Sequence, residues 1–107
     1  MTEFEFKLNT AQSGEATFES NKIRGTLKAI IVKSDKAVVI EAMAGDFKIL
    51  GIRDFSGSEY FAVRRYVVNE DGTRIGYTAT EWDISDKLNI KVSGNLNANV
   101  DFKFIFD

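Results

Sequence analysis

The groups in this chain that could carry chemistry are mostly carboxylates: Glu41, Asp46, Asp54, Glu59, Glu70, Asp71, Glu81, Asp83 and Asp86. Two of them flanking a sugar could hydrolyse a glycosidic bond, one as acid and one as base or nucleophile. That chemistry needs a defined separation, and nothing in the spacing signals one. "DISD" (residues 83–86) and "NEDG" (residues 69–72) offer oxygen ligands of the kind calcium takes, but neither follows a calcium-loop pattern. Most of these acids fall at expected turns, where Asp bonds the local backbone. The chain has no Cys and no His. It therefore offers no thiolate nucleophile, no disulfide, no zinc cluster and no imidazole base. The expectation is a protein that is not an enzyme and needs no cofactor or metal.

The second constellation is aromatic. Arg64 and Arg65 stand among Tyr60, Tyr66, Tyr77 and Trp82, a mixture that suits stacking on bases or sugar rings. Neighbouring residues of a strand point to opposite faces, so Arg64 and Arg65 cannot share one surface. A formal charge of −2 also opposes a nucleic-acid footprint, which needs clustered cations. Tyr77 and Trp82 remain as a candidate glycan platform, which makes a carbohydrate-binding module the alternative function. No apolar run approaches the roughly 20 residues that span a bilayer, and "MTEFEF" has neither the basic nor the apolar region of a signal peptide.

The elements that would position these groups read as strands nearly throughout. "EFEFKL" (residues 3–8) and "DFKFIFD" (residues 101–107) alternate rings or leucine with charge, a period of two. "ATFES" (16–20), "TLKAIIVK" (26–33), "KAVVIEAM" (36–43), "FKILGI" (47–52), "YFAVRRYVV" (60–68), "RIGYTATEW" (74–82) and "LNIKVS" (88–93) complete the set. "YFAVRRYVV" is the longest candidate. Turns are expected at residues 9–15, at Ser34-Asp35 as a tight hairpin, at Gly45-Asp46, over 53–59, at Asp71-Gly72 and over 94–99. Residues 83–87 read as a loop or a single helical turn. About eight or nine strands spaced near ten residues apart predict an all-β domain, residues 1–107. The fold expected is an antiparallel β-sandwich of jelly-roll or immunoglobulin-like type, or a small β-barrel as the alternative.

A terminal strand stays ordered only if it pairs and packs, so both ends should lie in the core sheet system. Phe4 and Phe6 then face inward, as do Phe102, Phe104 and Phe106. The opposite faces carry Glu3, Glu5 and Lys7 at one end and Lys103 and Ile105 at the other. Those five residues form the expected protein interface, with Ile105 the apolar exception on a charged face.

Three stretches resemble a known type: "GTLKAIIVKSDKAVVIEA", "GSEYFAVRRYVV" and "SDKLNIKVSGNLNANVDFKFIFD". They are similar to small all-β proteins encoded among the virion genes of tailed bacteriophages. In these a Gly-x-Leu-Lys strand leads to an Asp-Lys turn, a strand with Tyr and then Arg follows, and a Leu-Asn-Asp-Lys-Leu-like segment and an Asn-rich turn precede the last strand. Residues 25–31, 34–36, 60–64, 84–88 and 95–99 stand at those places. "ISDKL" departs from the pattern, where Leu-Asn is expected. The resemblance implies a capsid decoration (cement) protein, or a small head or tail accessory protein. Its partners would be the major capsid protein or other virion proteins and sister copies, a trimer being the first expectation. It would bind neither nucleic acid nor membrane, and it would reside in the virion after synthesis in the host bacterial cytoplasm.

Overall fold

In the computed structural model the described residues are 2–62, 64–68, 74–79 and 82–107, those among them from 62 to 82 by their backbone alone. They form seven strands and no helix: β1 (Thr2–Asn9), β2 (Glu15–Ala44), β3 (Phe47–Ala62), β4 (Arg64–Val68), β5 (Arg74–Ala79), β6 (Trp82–Ser93) and β7 (Asn99–Phe106). The all-β antiparallel expectation holds. Five strands share one sheet, in the order β1-β7-β2-β3 with β6 also on β2, and β4 and β5 pair as a separate two-stranded sheet among the described residues. Among the described residues the strands are fewer and longer than the eight or nine expected, because stretches read as turns continue as extended chain.

β2 accounts for most of the difference. It has 30 residues, so it and not "YFAVRRYVV" is the longest strand. Its first arm runs beside β6 (Phe18 opposite Ile90). Its middle lies between β7 (Ile30 opposite Phe104) and β3 (Ile30 opposite Phe61). Its last arm returns to β6, where Ala42 also stands opposite Ile90. The chain contains no Pro to interrupt such a ladder.

Ser34-Asp35 is therefore not a hairpin. The ladder to β3 shifts register between Ser34 and Val38 and then continues. No residue from 34 to 37 takes the positive φ that a tight two-residue turn requires. Residues 53–59 are not a loop either. Asp54 (φ 52°) and Gly57 (φ 88°) occupy left-handed backbone inside β3, where they act as bulges rather than chain reversals. Residues 83–87 are extended in β6 rather than a loop or helical turn.

Other turns lie where expected, at residues 11–14, at Gly45-Asp46 and over 94–97. At Gly45 (φ 58°) a side chain would be strained and would run into the Asp86 carboxylate. Asp71-Gly72 lies outside the described residues, although the strands on either side pair, with Val68 opposite Arg74.

The core follows the alternation. Phe102, Phe104 and Phe106 are buried, and each such ring contributes roughly 2–3 kcal/mol. Leu27, Ile30, Val32, Ile40, Leu88, Ile90, Val92 and Val100 pack with them. The two termini pair with each other along their whole length, from Thr2 opposite Phe106 to Asn9 opposite Asn99. β7 is interior to the sheet, whereas β1 is its edge. Phe4, Phe6 and Leu8 are accordingly half-buried against the core.

Candidate functional site

The β1–β7 ladder brings all five expected interface residues onto one face. Glu3 stands opposite Ile105, Glu5 opposite Lys103 and Lys7 opposite Asp101. Alternation forces this: with the rings turned to the core, the intervening residues must face outward. The Lys103 ammonium sits 3.1 Å from a Glu5 carboxylate oxygen and 3.6 Å from one of Glu3. The hydrogen bond to Glu5, reinforced by the charges of Glu3 and Glu5, raises the Lys103 pKa above the usual lysine value. Lys7 has no ion pair among the described residues.

The face continues across the sheet. Ile105 neighbours Ala29, Lys103 neighbours Ile31 and Asp101 neighbours Lys33 on β2. β3 adds Tyr60 opposite Ile31 and Ser58 opposite Lys33. Ile31 and Ile105 are half-buried there, while Tyr60 is 62% exposed. The result is a shallow concavity whose lining mixes Ile31, Phe6 and Phe102 with the charged Glu5, Lys7, Lys33, Asp101 and Lys103. Compensated charge surrounding a small apolar centre is suited to contact with another protein surface rather than to bond making.

A second cluster ties together the loops at one end of the sheet. The Asn9 side-chain amide donates to the side-chain oxygens of Asn97 (3.1 Å) and Asn99 (2.8 Å). Asn99 in turn donates its backbone N–H (2.8 Å) and its amide (3.1 Å) to the Asp35 carboxylate. Those two bonds hold the Asp35 pKa below the ordinary Asp value. Beneath them Thr10 is fully buried. Its hydroxyl donates to the Asn95 carbonyl (2.7 Å) and accepts from the Ala98 N–H (2.8 Å). The network fixes the end of β1 and the start of β7 against Asp35, within β2. Its members read in the sequence as ordinary turn formers, and only the Asn-rich stretch 95–99 hinted at it.

The remaining carboxylates do not gather. Glu41 pairs with Lys48 at 3.6 Å. Asp83 accepts from the Thr26 hydroxyl at 2.7 Å, and Asp86 from the Lys87 backbone N–H at 2.8 Å. Among the described residues no three acids stand together as a metal site. Glu70, Asp71 and Glu81 lie outside the described residues. So do the side chains of Arg64, Arg65, Tyr66, Tyr77 and Trp82, including the expected glycan platform. The backbone places Tyr77 opposite Tyr66 and Trp82 opposite Leu27. No family model matches the chain, and no curated protein is significantly similar to it.

Proposed function

We propose that this chain is a structural virion protein of a tailed bacteriophage, a capsid decoration protein that binds the assembled head through protein contacts. The observation that carries the proposal is the outward face of the terminal strands. Glu3 and Glu5 share the Lys103 ammonium in an ion-paired cluster on the face that carries Ile31, Ile105 and the exposed Tyr60. Such a face is too mixed to attract non-specific partners and still carries apolar surface for a matched one. The similarity of residues 25–31, 34–36, 60–64, 84–88 and 95–99 to small virion proteins of tailed phages supplies the biological context. Many copies on a symmetric shell let a modest contact per subunit hold firmly.

The architecture that accompanies this reading is a two-layered sandwich or small barrel. The path of β2 from β6 to β7 and back supports it. So does the stacking of Phe6 on Phe18 (centroids 4.2 Å apart), since β1 and the first arm of β2 share no ladder. The test is quantitative mass spectrometry of purified phage particles. The protein should be present at a copy number approaching that of the major capsid protein. Its absence from particles would refute the proposal.

A further inference from the structure

We propose that the free edge of β1 pairs antiparallel with the β1 of a second copy, about a twofold axis at Phe6. The inference rests on the reading of the terminal strands as an interface, not on what that interface binds in a particle. β1 ends the sheet, so among the described residues one row of its backbone N–H and C=O groups has no strand partner. An exposed edge of this kind is a template for another strand.

The occupant is set by charge complementarity within "EFEFKLN" (residues 3–9). Centring an antiparallel pair on Phe6 puts Glu5 opposite Lys7 of the second copy, twice by symmetry. Phe4 meets Leu8, Glu3 meets Asn9, and Phe6 meets its own counterpart. No like charges face each other, and every ring stays on the inner face. Moving the centre by one residue in either direction, to Glu5 or to Lys7, opposes two like charges at the axis, which is unfavourable. Lys7 has no ion pair among the described residues, so it is available to a second chain. Phe4, Phe6 and Leu8 are half-buried, so their remaining exposed area would be covered by the same three side chains of the partner. An isologous contact of this type closes on itself and makes a dimer, whereas the first expectation from the resemblance was a trimer.

Charge-swapped full-length chains test this by sedimentation velocity. The wild type should sediment at twice its 12.0 kDa chain mass. Lys7→Glu and Glu5→Lys should each raise the dimer dissociation constant roughly tenfold or more, because two attractive contacts become repulsive. An equimolar mixture of the two variants should restore the dimer, since position 5 of each chain then faces the opposite charge at position 7 of the other. Circular dichroism of each variant separates loss of pairing from loss of fold. If Glu5→Lys does not fold, a mixture of the otherwise cysteine-free Glu5→Cys and Lys7→Cys chains should form an intermolecular disulfide under mild oxidation. A monomeric wild type, swaps without effect, a mixture that stays monomeric or an absent disulfide would each overturn the pairing. A monomer that is nevertheless abundant in particles would overturn the strand pairing alone. A dimer missing from particles would overturn the virion reading alone.

Discussion

Thr10 lies fully buried in what reads as a polar turn, and its hydroxyl serves two loop backbones at once. Replacing it with Val keeps the shape and removes both bonds. The Asn95 carbonyl and the Ala98 N–H then lose a partner where water reaches poorly, and such groups cost about 1–3 kcal/mol each. We expect Thr10→Val to lower the unfolding free energy by about 2–4 kcal/mol, measured by urea denaturation, with Thr10→Ser recovering most of it. A Val variant as stable as the wild type would mean that the hydroxyl network does not hold the loops. The sequence concealed this residue because a threonine beside Asn9 and before a Gly-containing turn has an ordinary explanation. Asn9, Asn99 and Asp35 were equally unremarkable until the fold placed them together.

At the level of elements, β1 joins the candidate interface to the core. Phe6 stacks on Phe18 at 4.2 Å and on Phe102 at 5.0 Å, whereas the nearest described partner of Phe4 is Phe6 itself at 5.6 Å. Truncating a buried ring costs about 3–5 kcal/mol, and a half-buried one correspondingly less. Phe6→Ala should therefore cost about 2–4 kcal/mol by chemical denaturation, and more than Phe4→Ala. Deleting residues 3–8 removes both rings and Leu8 and uncovers the edge of β7, so that chain should unfold. If the deletion kept its circular dichroism and melting temperature, β1 would be an arm and not part of the core. The alternation of β1 and β7 was legible because a ring at every second residue admits one face assignment. That they pair with each other was not, since a period of two says nothing about partners. Turn residues misled in the middle of the chain. Ser34-Asp35, Asp54 and Gly57 carry the composition of reversals, but the backbone absorbs them as bulges within long strands. The same chemistry serves both, and only the pairing of β2 with β3 on each side of the irregularity distinguishes them.

For the molecule as a whole, the decisive fact is that its first strand pairs with its last, Phe4 opposite Phe104 and Phe6 opposite Phe102. That ladder forms only after nearly the whole chain has closed into a loop, and loop closure has an entropic cost before any contact returns stability. β2 and β3, by contrast, join through the short Gly45-Asp46 turn and can zip from there, Ala44 opposite Phe47 outward. The β2–β3 pair should therefore be formed in the folding transition state, and β1 should dock after it. Two kinetic outcomes follow. Refolding should take milliseconds to seconds, the range of sheet proteins dominated by distant pairings. It should also lack a phase of tens of seconds from proline isomerisation, because the chain has no Pro. In stopped-flow measurements Phe6→Ala should mainly accelerate unfolding and leave the folding rate nearly unchanged, while Ile40→Val, in the part of the β2–β3 ladder nearer the turn, should slow folding. The opposite pattern, with Phe6→Ala slowing folding by the full equilibrium loss, would place the terminal strands in the nucleus and make their early meeting the step that organises the sheet.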